Sequence, residues 1–192
     1  MDIKRIEKNT DVKIEYFESI TSTSERAKEI AEETYKNEEH LKEIKVVVAE
    51  NQTKGKGTNG RKWHSSSEEN ILMTLIFYPQ KTIKELQGIT YAIAEMIRDT
   101  IKDLYDISLN IKLPNDLLLN DKKICGILTE SSIKNDKVNY LLIGIGFNVN
   151  QNEFPEEIES IATSLKREYK EREFSREEII IKVINNIKSL MK

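Results

Sequence analysis

The chain has 192 residues, 38% of them hydrophobic, and 30 basic side chains against 33 acidic ones, for a net charge of −3. That length suits one domain, or one domain with a helical extension, and the interspersed charge gives no overall attraction to nucleic acid. One cysteine, Cys125, excludes an internal disulfide and fits a reducing compartment. With His40 and His64 beside it, the chain lacks the soft ligands of a structural zinc site. No apolar run approaches the roughly 20 residues that span a bilayer, and the opening MDIKRIEKNTD alternates charge without the apolar core of a signal peptide. The protein reads as cytoplasmic, with no nucleic-acid or membrane partner.

Ile14–Phe17 is read as a first strand, followed by the Ser/Thr-rich turn from Ser19 to Ser24. Ser22 or Ser24 then caps a helix to about Lys36, because Ala27, Ile30, Ala31 and Tyr35 recur at helical spacing. Ile44–Ala49 is short, apolar and β-branched, the pattern of a buried strand. Glu50–Asn70 is a long polar stretch with three glycines. Ile71–Tyr78 is a second buried strand, closed by Pro79. Ile83–Leu104 reads as one long helix carrying Leu86, Ile89, Ile93, Ile97 and Ile101 on one face. Leu117–Leu119 and Lys123–Glu130 flank Asn120-Asp121, a dipeptide suited to a tight hairpin turn. Lys134–Lys137 makes a second polar turn before a returning strand, Val138–Val149. Arg176–Met191 is a final amphipathic helix. The expected class is α+β, a mixed and largely antiparallel sheet with helices packed on it. The core runs from about 14 to 150 and a helical extension from 151 to 192.

Six of the seven glycines fall in three short segments. Gly126 lies in one strand and Gly144 and Gly146 in another. Glycine inside a strand marks either a bulge or a close backbone approach, so these strands read either as irregular or as the floor of a flat ligand site. In the passage Gln52 to Trp63, four basic side chains sit among Gly55, Gly57 and Gly60. It is neither a Walker loop nor a dinucleotide fingerprint. It reads as a phosphate- or carboxylate-binding loop, or as a plain polar connection. Trp63, the sole tryptophan, is either a core or rim aromatic or a platform for a base. Lys112-Leu113-Pro114-Asn115-Asp116 leads into the hairpin, where Lys123 opens an apolar strand. Its ammonium is either solvated or directed into a pocket.

These segments together carry a resemblance. Gly-Lys-Gly-x-x-Gly-Arg-x-Trp, Lys-x-Pro-Asn-Asp-Leu, Lys-Ile-x-Gly-Ile-Leu-x-Glu and Gly-Ile-Gly-x-Asn-Val-Asn, in this order and preceded by Ser22-Thr23-Ser24, resemble the catalytic domain of biotin–protein ligases. The likeness runs from about Phe17 to the last helix. It implies a class II synthetase-like biotin/lipoate ligase fold. The implied reaction joins biotin to a lysine of a biotin carboxyl carrier protein through biotinyl-5′-AMP, with ATP and biotin as substrates and Mg²⁺ as cofactor. Carried over position by position, Lys123 is the first catalytic candidate, with Lys56 and Arg61 holding phosphate and intermediate. Biotin falls to Ser22, Thr23, Ser24, Gln52, Gly55, Lys56, Gly57, Thr58, Lys123, Gly126, Gly144 and Gly146. ATP falls to Arg61, Trp63, Lys112, Asn115, Asp116 and Asn148, with Asp116 as the Mg²⁺ ligand.

The chain departs from the family pattern at several points. Lys56 stands where an arginine is usual, keeping charge and losing bidentate geometry. Thr58 stands where a second basic residue is general, which is expected to weaken retention of the adenylate. Ser24 replaces asparagine, Leu113 replaces tryptophan, and Cys125 takes a small residue's place as packing. The resemblance also implies homodimerisation through an edge strand of the sheet. Too few residues precede the first strand for a winged-helix DNA-binding domain, and the expectation is a form without that domain or the C-terminal β-barrel. Two other readings are a lipoate- or octanoate-type acyl ligase on the same scaffold and a non-catalytic biotin-binding module.

Overall fold

A computed structural model describes residues 1–37, 41, 43–65 and 69–191, so His40 lies outside the described residues. Seven strands form one sheet in the order β1-β2-β3-β7-β6-β5-β4. They are β1 (Lys13–Ile20), β2 (Lys45–Gln52), β3 (Ile71–Phe77), β4 (Asn110–Lys112), β5 (Asp116–Leu119), β6 (Lys122–Lys134) and β7 (Lys137–Phe147). β1 runs parallel to β2, and every other neighbouring pair is antiparallel. The expected α+β class, with a mixed and largely antiparallel sheet, is what the chain adopts.

Alternation along β2 sorts the two faces. Val46 and Val48 join the larger apolar cluster with Ile93, Ile97, Ile101, Ile180 and Ile184, while Val47 joins a smaller one with Ala27, Ala31 and Leu142. Helices α3 (Ile89–Tyr105) and α6 (Arg176–Met191) therefore cover one face, and α2 (Thr23–Asn37) covers the other. The bounds of α6 match the sequence expectation.

Several elements differ from that expectation. A helix α1 (Ile3–Thr10) precedes β1; Asp2 caps it by accepting from the Arg5 N–H at 3.0 Å, and Ile6 is fully buried. Two isoleucines in a charged octet give little periodic signal, and packing against α6 supplies the missing stabilisation. The helix expected from Ile83 starts only at Ile89, because Gly88 takes φ +82°. Residues 83–88 form turns, and Leu86, buried at 6% exposure, extends the apolar stripe without being helical. β4 was not foreseen, since three residues carry no readable pattern. Both hairpin turns stand as read. Asn120 and Asp121 have φ of 50° and 61°, Asn135 and Asp136 50° and 66°, the handedness that tight hairpins need.

Between α3 and α6, the chain after β7 runs through the short helices α4 (Glu156–Glu159) and α5 (Leu165–Glu168). Residues 161–163 pair in parallel with Lys123: its N–H donates to Ile161 O at 2.8 Å and its carbonyl accepts from the Thr163 N–H at 2.9 Å. The start of β6 is thus flanked by β5 on one side and this returning segment on the other.

Candidate functional site

Three glycines open a hollow on the face of the sheet that α2 covers. Gly126 pairs with Gly146 across β6 and β7, and Gly144 pairs with Thr74 of β3. With no side chains there, neighbouring groups sink to the backbone. A Cβ on Gly146 would stand 2.5 Å from Trp63 Cε2, one on Gly126 2.9 Å from Trp63 Cζ3, and one on Gly144 3.1 Å from Ser24 Oγ. The close-approach reading of these strand glycines is therefore the one realised.

At one end of the hollow, the start of α2 presents uncharged polar groups. The Gln52 side-chain carbonyl accepts from the Thr23 N–H at 2.7 Å and from the Thr23 hydroxyl at 3.0 Å. The Thr74 hydroxyl donates to Thr23 at 2.9 Å and meets Ser24 Oγ at 3.3 Å. Thr74 was missed from sequence, being one hydroxyl in the apolar run ILMTLIF; a buried β-branched alcohol there was the only available signal. Ser22 Oγ is buried without a hydrogen-bond partner, an open donor and acceptor beside this cluster.

Cations from two separate segments also border the hollow, Lys123 beside Gly126 and Lys56 beside the first turn of α2. Lys123 Nζ lies 2.7 Å from Asp116 Oδ1 as an ion pair, outside hydrogen-bond alignment, and 5.4 Å above the Trp63 ring. Lys56 Nζ pairs with Glu25 Oε1 of α2 at 2.9 Å. The Lys56 ammonium holds the Glu25 carboxyl below the usual carboxylate range. The cavity of about 40 Å³ between these groups is lined by Thr23, Ser24, Gln52, Lys56, Gly57, Thr58, Trp63, Asn115, Lys123 and the three strand glycines.

The glycine loop is more ordered than a polar connection. Trp63 N–H donates to Gly55 O at 2.9 Å, Gly57 N–H donates to Arg61 O at 2.8 Å, and Lys56 bridges Lys62. Gly55 is required here, since a Cβ would stand 2.6 Å from the Trp63 carbonyl. At the tip, Thr58 Oγ1 accepts from Arg61 Nη2 at 3.0 Å. This pairing brings the Trp63 indole down onto Gly126 and Gly146, the strip that the resemblance reserves for the biotin ring, with Nε1 buried and unpartnered.

Beyond the indole opens a second cavity of about 480 Å³, lined by Arg61, Trp63, Lys112, Asp116, Lys123 and Asn148. Each residue that the sequence assigned to the nucleotide borders it, except Asn115. Asn115 is buried with its amide donating to Ile127 O at 2.9 Å, and it borders the smaller cavity instead. Ser22 and Gly55 line neither cavity. Phe154, Ile158 and Ile161 form an apolar wall of the larger one. These were missed, because they lie in a charged, aperiodic stretch and reach the site only through the pairing of residues 161–163 with Lys123. Cys125 is fully buried and burial pushes its thiol up, consistent with packing.

The sequence profile of the Biotin/lipoate A/B protein ligase family matches residues 16–148. The chain is 38% identical over 154 residues to the bifunctional ligase/repressor BirA of Bacillus subtilis, covering 79% of this chain and 46% of that protein. It is 29% identical over 158 residues to the biotin–protein ligase of Homo sapiens, covering 77% and 21%. The chain thus spans about half the length, or less, of these curated relatives. In three dimensions it is similar to the biotin protein ligase from Aquifex aeolicus in complex with biotin and ATP, with a TM-score of 0.74 and 30% identity over 93% of this chain and 70% of that one. The fold is that of the biotin protein ligases.

Proposed function

We propose, from the premise that this chain belongs to the Biotin/lipoate A/B protein ligase family, that it activates biotin with ATP and passes it to a lysine of a biotin carboxyl carrier protein. The observation that carries the reading is that the uncharged Thr23, Ser24 and Gln52 and the cations Lys56 and Lys123 line one cavity, whose volume of about 40 Å³ takes biotin only when the Trp63 indole lifts from Gly126 and Gly146. Biotin has matching ends. Its ureido ring offers coplanar donors and an acceptor without charge, and its carboxylate seeks a cation.

In the first step a carboxylate oxygen attacks the α-phosphorus of ATP, the bond to the β-phosphate oxygen breaks, and pyrophosphate leaves. Both reactants are anions, so the chemistry needs fixed positive charge at their meeting point. Lys123 supplies it from a strand held on both sides, and Lys56 and Arg61 add charge from the loop. In the second step the acceptor amine attacks the carbonyl of biotinyl-5′-AMP, the carbon–oxygen bond to phosphate breaks, and AMP leaves as the amine gives up a proton. The larger cavity beside Trp63 suits the nucleotide, with Asn148 and Lys112 at its edge.

The residues present do not make a protein cage for Mg²⁺. Asp116 offers one carboxylate, already paired with Lys123, and no group of three or more metal-capable side chains occurs among the described residues. A cation arriving with the nucleotide keeps phosphate and water ligands, and no step here runs through it.

Pyrophosphate release is the test. It should require both biotin and ATP, and lipoate or octanoate in place of biotin should give none. Lys123→Ala should lower it by about a hundredfold or more with unchanged circular dichroism; full turnover in that variant would remove Lys123 from the mechanism.

A further inference from the structure

Lys123 sits at the second position of β6, where a strand ordinarily frays, yet it must hold an ammonium in place. Two features fix its backbone. One is the pairing with Ile161 and Thr163 described above. The other is the tight turn three residues earlier, at Asn120. A single side chain reaches both. Glu168, on the short helix α5, accepts from the Thr163 hydroxyl with Oε1 at 2.6 Å and from Asn120 Nδ2 with Oε2 at 2.6 Å. Thr163 then passes the restraint on, because its carbonyl accepts from Asn148 Nδ2 at 3.0 Å. Asn148 N–H in turn donates to Ile124 O at 2.8 Å, the residue after Lys123. α5 is itself secured where Ser164 caps it by accepting from the Arg167 N–H.

We propose that Glu168 is a positioning residue for the reaction, a two-armed clamp that sets the backbone of Lys123 and the side chain of Asn148 together. It touches neither cavity and acts through Thr163 and Asn120. The proposal rests on the biotin-activating reading of Lys123. Both of its partners are donors, so a carboxylate, with an acceptor oxygen for each arm, fits the place. Burial raises the Glu168 carboxyl, and hydrogen bonds from Thr163 and Asn120 more than offset this, leaving it below the usual range and ionised near neutral pH.

The experiment measures steady-state pyrophosphate release and amide hydrogen exchange on the full chain. Wild-type protein showing no release dependent on biotin and ATP defeats the underlying reading. With that release present, Glu168→Ala should lower kcat by roughly tenfold or more while the biotin KM stays within about twofold, as expected for a displaced reacting group. The Lys123 and Thr163 amides should exchange faster, with those of Gly144 and Ile145 unchanged. Glu168→Gln should recover most of the rate, since its carbonyl can serve Asn120 while its NH₂ donates to a rotated Thr163 hydroxyl. Asn120→Gly, which removes the amide and keeps the positive φ of the turn, should show a partial loss of kcat. An active wild type with unchanged kcat in all three variants, or a Gln variant as slow as the Ala variant, overturns the clamp.

Discussion

Two carboxylate–cation pairs with the same chemistry serve opposite ends in this molecule. Under β2, Glu50 and Arg176 face each other with side chains 5% and 11% exposed, and Tyr16 donates to Glu50 at 3.0 Å while Arg176 also donates to Asn70 O at 3.1 Å. In the cavity, Asp116 and Lys123 are 17% and 32% exposed and share one contact without good alignment. The first pair is saturated and closed to solvent, so it joins α6 to the sheet and can do little else. The second is open on the side that faces both cavities, so Lys123 can exchange Asp116 for an incoming anion at small cost. Burial and the count of additional partners decide which pair is structural and which is available for chemistry.

Breaking the closed pair should have the largest effect on stability. Arg176→Met leaves the buried Glu50 only the N-terminal ammonium, 3.4 Å away, as a cation and should cost about 2 kcal/mol or more, read as a lower urea midpoint; a loss under about 1 kcal/mol would place this pair in the same class as the cavity pair. The network should also make stability fall in acid. Burial raises the Glu50 carboxyl, but Arg176 and Tyr16 outweigh it and hold the folded-state value below the usual 4.5. Its contribution is therefore present above that pH and lost as pH falls through the lowered folded value. The Tyr16 hydroxyl, pushed up to about 12 by burial and by Glu50, adds stability below pH 10 that disappears as pH rises toward 12. Urea midpoints measured from pH 3 to 11 should follow both limbs, and the acid limb should shrink in Glu50→Gln.

The open pair should behave in reverse. Asp116→Asn should change stability by under about 1 kcal/mol yet, on the proposed reading, reduce pyrophosphate release several-fold, because Lys123 loses its resting partner beside the larger cavity. Equal losses in both measurements would make the pair structural. The smallest effect belongs to Glu25, whose pair with Lys56 is 43% and 49% exposed. Glu25→Gln should leave stability within about 0.5 kcal/mol. The biotin KM should fall modestly, as Lys56 is freed to face the carboxylate.

Much of this architecture was readable before folding. Periodicity gave α2 and α6, the apolar runs gave β2 and β3, and Asn120-Asp121 and the polar stretch Lys134–Lys137 gave the two hairpin turns, because each of these signals is written in adjacent residues. What escaped notice depended on distant partners. Glu50 looked like one charge among 33 acidic residues until Arg176, more than a hundred positions later, was folded against it. Thr74 looked like filler until α2 brought Thr23 and Ser24 to it. The helix expected from Ile83 ran straight through Gly88, whose positive φ delays its start to Ile89.

The order of glycines, lysines and asparagines along the chain determined which chemistry this protein is equipped for, since residue type and local spacing fix charge, hydrogen-bonding capacity and close backbone approach. Only the tertiary structure decided that Lys56 and Lys123 border one space, that Trp63 divides it from a second, and that an unremarked glutamate on α5 braces the strand carrying the central lysine. Those relations arise from strand register and from residues 161–163 returning to the sheet. They are properties of packing, which no local stretch of sequence encodes.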